Sequence, residues 1–252
     1  MIIQYASDLH LEFAKNRQFI KANPIQPKGD ILLLAGDLTP FSVMNQHDDF
    51  FSYVANNFEH TYWIPGNHEY YHFDIAEKCG IINEQIKTNV HLVNNITIEQ
   101  DEVKIIFSTL WSKINPADGW EIEKIMNDFH QIKYKGYRFS IDKFNELHEQ
   151  SRAFVEQELL KKSDSKKIVV THHVPTFLNY PEKYKGDVLN EAFAVELFDL
   201  IENIGPDYWI YGHHHHNTPD FAINKTQMLT NQLGYVQYNE QELFNCGRTI
   251  EI

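Results

Sequence analysis

The sequence predicts an α/β domain. Apolar runs of four or five residues alternate with longer helix-compatible stretches, and most of these runs end in glycine, aspartate, asparagine or histidine. Runs this short, bounded by polar or glycine residues, read as buried strands. Their alternation with helices is the mark of a sheet whose loops leave from strand ends. A chain of 252 residues with 42% hydrophobic content can also bury a sizeable core. One domain spanning 1–252 is expected, because no repeat, low-complexity tract or linker divides the chain.

Ile2 to Ala6, Ile31 to Ala35 and Thr61 to Ile64 read as the first three strands. Val43 to Phe58 has helix-compatible spacing, and Cys79 to Ile86 is expected as another helix. His91 to Ile98 and Val103 to Leu110 are β-rich runs joined by Glu99-Gln100-Asp101-Glu102, which reads as a hairpin. The region 112–162 carries scattered aromatics, among them Trp120, Phe129, Tyr134, Tyr137 and Phe139, and a helix is expected from Ile141 to Leu160. That region reads either as a cover over a site or as outer-layer structure. Lys167 to Val170 and Tyr208 to Tyr211 resume the strand pattern, with Glu191 to Ile204 as an amphipathic helix between them. Gln227 to Thr230 and Arg248 to Ile252 close the chain as β segments.

Five of the short motifs carry metal-ligand chemistry. They are Asp8-Leu9-His10, Gly36-Asp37, Gly66-Asn67-His68-Glu69, Thr171-His172-His173 and Gly212-His213-His214-His215-His216. Residues two apart in an extended strand share a face, so Asp8 with His10, and His213 with His215, are expected to converge. Asp37 directly follows the run Leu32-Leu33-Leu34-Ala35-Gly36, where a carboxylate is costly unless paired, hydrogen-bonded or metal-bound. Capping of the next turn is the competing reading. Asn67 offers a neutral amide oxygen and reads as a ligand, whereas His68 beside it reads as an acid, or else as an orienting group. His172 is preferred as ligand over His173, which is left as a group behind the ligands, a substrate contact or a structural histidine. The four consecutive histidines could also be read as a chelating tract, but they are internal and follow Tyr208-Trp209-Ile210-Tyr211, which favours a built site with His214 and His216 turned away. Asp8, His10, Asp37, Asn67, His172, His213 and His215 suffice for two ions sharing one carboxylate. Mixed carboxylate and imidazole donors suit manganese, iron, cobalt, nickel or zinc better than calcium or magnesium.

The formal charge is −13, from 22 basic and 35 acidic side chains, with no basic block. Salt-sensitive binding to long duplex DNA is therefore disfavoured, although two divalent ions would make a pocket locally positive. Cys79 and Cys246 form no CxxC pair, so neither a disulfide framework nor a thiolate zinc site is suggested. The start has no basic leader, and no apolar stretch is long enough to cross a bilayer. A soluble cytoplasmic protein is the expectation.

The ordered set of five motifs, spanning residues 5 to 216, resembles the calcineurin-like metallophosphoesterase superfamily. The resemblance implies a four-layer α/β-sandwich of two mixed sheets packed face to face with helices outside. It implies one metal held by Asp8, His10, Asp37 and His215, and a second held by Asp37, Asn67, His172 and His213. Asp37 would bridge them, a shared water would be acidified between ions roughly 3.5–4 Å apart, and His68 would assist the departing oxygen. Thr109-Leu110-Trp111, Asn127-Asp128-Phe129 and Thr230-Asn231-Gln232-Leu233-Gly234-Tyr235 are similar to bacterial, minimal-cap relatives, except that Leu233 stands where such relatives carry a basic residue.

The function expected from this reading is hydrolysis of a small soluble phosphate ester with two divalent ions, manganese first among them. Diesters are favoured over monoesters because an open two-metal site can accept a second ester group. A nuclease would need a basic, aromatic-lined channel, for which Lys113, Lys124, Lys133, Lys135 and Arg138 are the candidates. A non-catalytic scaffold on the same fold is the reading from another class, and it is disfavoured because every ligand position is filled.

Overall fold

The computed structural model describes residues 1–252. Its first half runs β1 (Ile2–Ala6), α1 (Ala14–Ala22), β2 (Ile31–Ala35), α2 (Asp48–Asn57), β3 (His60–Ile64), β4 (Ile82–Lys87) and β5 (Val90–Asn94). There follow β6 (Ile96–Gln100), β7 (Val103–Ser108), α3 (Gly119–Ile125), α4 (Asp128–Gln131), the two-residue β8 (Lys133–Tyr134) and β9 (Tyr137–Arg138), and α5 (Ile141–Leu160). The chain ends with β10 (Lys166–Thr171), α6 (Asn190–Phe193), α7 (Phe198–Ile204), β11 (Tyr208–Tyr211), β12 (Phe221–Ile223), β13 (Thr226–Thr230) and β14 (Thr249–Glu251). No helix is long and apolar enough to cross a membrane.

Two six-stranded mixed sheets have the orders β14-β1-β2-β3-β5-β4 and β12-β13-β11-β10-β7-β6. In each, four parallel strands are flanked by antiparallel edges. Parallel strands covered on both faces need apolar residues at every position, not at alternate ones. In β2 all five residues are buried. Ile31, Leu33 and Ala35 face the layer between the sheets, together with Ile105, Phe107, Ile168 and Val170 of the second sheet. Leu32 and Leu34 pack on the other face, in a cluster with Ile20 of α1 and Phe51 and Val54 of α2. Ile106, Val169 and Trp209 do the same on the second sheet, against Val155 and Leu159 of α5 and Ile201 of α7. The result is the expected four layers, helices outside two stacked sheets.

Three elements differ from the sequence expectation. Residues 79–86 are not a helix: Gly80 has φ +72 and β4 pairs antiparallel with β5 from Ile82 to Lys87. A short apolar segment has no helical advantage once a sheet edge supplies its hydrogen bonds. The run from His91 to Ile98 is two strands, because Asn95 at φ 47 turns the chain from the first sheet into the second. The hairpin is therefore β6–β7 alone. The expected helix over 191–204 breaks into α6 and α7 where extended Ala194 forms a bridge with Val174.

Candidate metal centre

All five motifs lie just beyond the C-terminal ends of parallel strands: Asp8 after β1, Asp37 after β2, Asn67 after β3, His172 after β10 and His213 after β11. That edge is where α/β sheets present their loops. Both sheets contribute, so the motifs meet only because the sheets are stacked. The convergence within each pair is not that of an extended strand. Asp8 (φ 56), His10 (φ 46), Asp37 (φ 54), His213 (φ 80) and His215 (φ 49) all lie in the left-handed region. Such conformations are uncommon outside glycine and collect at functional sites. The glycines before the motifs give the room. A Cβ on Gly36, itself at φ +90, would run into the His172 ring, and one on Gly66 would strike Asp37 Oδ1 and lie 2.6 Å from His172 Nε2.

Three donor clusters have their donor atoms no more than 4.8 Å apart: Asp8-His10-Asp37-His215 and Asp37-His172-His213, which gather the expected ligands, and His10-Glu12-His68 beside them. Asn67 Oδ1 joins the second at 3.2 Å from His172 Nε2. Asp37 belongs to the first two: its Oδ1 is 3.3 Å from His172 Nε2 and its Oδ2 is 3.6 Å from His10 Nε2. The far ring nitrogens are engaged from behind, His10 Nδ1 by Glu12, His172 Nδ1 by the Ala35 carbonyl and His215 Nδ1 by Glu240. Such partners turn the other nitrogen inward as a donor to a metal. Inward nitrogens then face one another, His10 Nε2 to His215 Nε2 at 2.9 Å and His172 Nε2 to His213 Nδ1 at 3.0 Å. Two bare nitrogens cannot sit this close without a proton or a cation between them. Burial opposes charge on His215, but Asp8 and Glu240 outweigh it and lift its pKa to about 10. Burial likewise opposes charge on His172, where Asp37 and Asp8 lift it to about 9. Burial holds His10 and His213 below the usual histidine range. Each of these two clusters thus pairs one proton-holding ring with one bare ring, a donor set that suits a divalent cation once the proton leaves.

Several site residues escaped the sequence reading. Glu12 Oε1 accepts the Nδ1–H of both His10 (3.0 Å) and His68 (2.9 Å). Burial disfavours its charge, but the two histidines hold it down at about 2. In return Asp37 and Glu12 overcome burial and raise the pKa of His68. His68 Nε2 meets the Tyr235 hydroxyl at 3.2 Å. Asp128 Oδ1 accepts from Asn67 Nδ2 (2.8 Å) and Tyr71 (2.7 Å), which leaves the Asn67 amide oxygen aimed at His172. Glu69 accepts the backbone N–H groups of Asp37, Leu38, Thr39 and Gly66 and the Trp63 indole N–H, tying the β2 and β3 loops together. Glu69 and Asp128 stand inside motifs visible in the sequence. Glu12 carries a weaker signal, two residues after His10.

Comparison with known proteins decides the family. The model of the calcineurin-like phosphoesterase family matches residues 3–217. The chain belongs to this family. It is a metal-dependent hydrolase of phosphoric esters. A protein of Acanthamoeba polyphaga mimivirus whose role is uncharacterized is 34% identical across 100% of this chain and 96% of its own length. The phosphopantetheinyl hydrolase of Mycobacterium tuberculosis shares the fold with TM-score 0.73 at 15% identity, over 98% of this chain and 95% of that one. A dimetal phosphatase from Danio rerio is similar at TM-score 0.47 and 10% identity, over 92% and 87% of the two chains. For this family the group to be held is a pair of divalent ions, which the first two clusters fit.

The phosphoesterase has a cleft of about 340 Å³ beside the clusters, lined in part by Asp37, Asn67, His68, His213 and His215. His173 does not line it. Its ring lies fully buried behind His213, 4.2 Å away, with Nδ1 facing the Thr109 carbonyl. His214 points to Gln232, which also accepts the backbone N–H of His215. Leu233 is fully buried in the core, so no substrate contact arises there, and Tyr235 of the same segment faces the site instead. The region 112–162 divides by role: α5 covers the second sheet, whereas Ile125, Met126 and Asn127 reach the cleft. Its basic residues lie elsewhere, Lys113 against Glu149 and Arg138 against the Phe129 and Glu123 carbonyls.

Proposed function

We propose that the chain, acting as one domain, is a two-metal phosphoesterase for a small phosphate ester, with phosphodiesters as the first choice. The observation that carries this reading is Asp37, whose two carboxylate oxygens face different donor clusters. Asp8, His10, Asp37 and His215 would hold one ion, and Asp37, Asn67, His172 and His213 would hold the other. Manganese is proposed first, with iron, zinc, nickel or cobalt also matching mixed oxygen and imidazole donors. Two divalent ions, when bound, would supply Lewis-acid stabilisation of the phosphoryl oxygens and acidify a water molecule.

The chain's own residues do the rest. Glu12 keeps His68 oriented and protonated, and His68 delivers a proton from Nε2 to the departing ester oxygen as the P–O bond breaks. Asp128 fixes the amide of Asn67 with its oxygen inward. His173 supports His213 from behind. We place the reaction in the cytoplasm, in keeping with the two free cysteines. A nucleic acid is not the favoured substrate, because no lysine or arginine lines the cleft.

The test is hydrolysis of paired generic phosphomonoesters and phosphodiesters by metal-stripped protein reloaded with manganese, nickel, cobalt, iron or zinc. Asp37→Ala serves as the blank. Turnover that depends on metal and vanishes with Asp37→Ala supports the reading, and faster cleavage of the diester supports the substrate choice. Two tightly bound ions in Asp37→Ala would remove the bridging role.

A further inference from the structure

The cleft beside the metal centre has a wall that the hydrolytic chemistry does not use. Phe193 stacks on His213 with ring centroids 4.5 Å apart, so the aromatic surface begins at a metal-ligand histidine. From there Leu189, Tyr184, Tyr180, Met126 and Ile125 carry the lining away from the ligands. Ile125 is 52% exposed where it lines the cleft, so its side chain is free to meet a ligand there.

Charge on the wall has one sign. Asp187 and Glu240 line the cleft, and no lysine or arginine does. Glu240 is itself engaged by His215 Nδ1. Lys183, beside Tyr184 in the chain, holds its ammonium 4.6 Å from the centre of the Tyr184 ring, where its charge is already offset by Glu240, and it does not line the cleft. A substrate phosphate at the ions would be neutralised there. Away from the ligand histidines and His68, a second anionic group on the same substrate would find no lysine or arginine in the lining and would meet Asp187, whose field discourages it.

Resting on the phosphoesterase reading, we propose that this wall seats the organic group of the substrate ester, and that this group is uncharged and apolar or aromatic. The reacting phosphate is then the only anion of the substrate. Polyphosphates, sugar bisphosphates and nucleic acids fall outside this class. Apolar contact with the wall supplies affinity, while the ions fix the phosphoryl group.

Calorimetric binding of non-hydrolysable phosphonates to the metal-loaded full chain tests this without relying on turnover. Benzylphosphonate should bind about tenfold or more tightly than methylphosphonate, as ring burial dictates. Para-carboxybenzylphosphonate, the same shape with one added anion, should bind at least about tenfold more weakly than the benzyl compound. Ile125→Lys, a change at an exposed position, should shrink the carboxylate penalty. Tyr184→Ala should shrink the benzyl-over-methyl preference. Equal affinity for benzyl and methyl compounds, tightest binding of the carboxylated one, or no binding of any would overturn the proposal. Failure of the phosphoesterase reading has a different signature: no ester is hydrolysed with any metal while the phosphonate order stands.

Discussion

Five of the seven proposed ligands hold positive φ, and this is where the site's energy is concentrated. Each such residue costs of order 1–3 kcal/mol, so the loops need outside support. Glu69 gives it to the β2 and β3 loops, and Gln232 with Glu240 gives it to His215. Gly66→Ala should lose both ions, because the new methyl lands between Asp37 and His172. Elemental analysis after gel filtration reads this directly, and two retained ions would mean that the loop yields. Glu12 is the second residue to probe. Its negative charge favours protonated His68, so Glu12→Gln lowers the His68 pKa and should move the alkaline limb of kcat down by about one pH unit. His68→Gln should keep two ions, cut kcat by about 100-fold or more and abolish that limb. Metal loss in place of rate loss would return His68 to the coordination shell. The spacing of Asp8 with His10 showed that they could meet, but the left-handed turn that brings them together was not legible, since it depends on contacts from distant segments. Ser7 pairs with Gln232, and Gly234 donates to the Asp8 carbonyl.

Elements whose signals are local came out as their residues dictate. Helix α5 runs from Ile141 to Leu160, and Ser140 caps it by accepting the Lys143 N–H. Ser140→Ala should therefore cost about 1 kcal/mol in urea unfolding without altering metal content. An unchanged midpoint would show that the cap is idle. Elements decided by partners were read less well. Residues 82–87 form a strand because β5 offers an edge, and 91–98 divides because its two halves join different sheets. Nothing in a single apolar run says which sheet receives it. The helix over 191–204 broke for a similar reason, as Val174 captures Ala194 across a long separation.

At the scale of the molecule, the two stacked sheets bring their loops to one edge. Asp8, Asp37 and Asn67 come from the first sheet, and His172, His213 and His215 from the second. Ions held by these proposed ligands would tie the sheets together, and stripping them should lower the melting temperature. At free metal 100-fold above Kd the difference is about 2.7 kcal/mol. The protons held on His172 and His215 must leave as ions enter, so affinity should rise with pH up to about 9 to 10 and binding should release protons. Titration in buffers of different ionisation enthalpy counts them, and pH-independent affinity would contradict the donor assignment. The sequence by itself determined the alternating α/β class, the strands β1, β2, β3, β10 and β11, the residues proposed as donors and the family, because buried strands and metal-ligand motifs are written in short contiguous patterns. Only the tertiary structure decided that Glu12 joins His10 to His68, that Asp128 orients Asn67, that His173 stands behind His213, and that the cleft wall is aromatic and lacks cations. Those relations join residues far apart in the chain, and their distances are fixed by how two sheets stack, which no local pattern encodes.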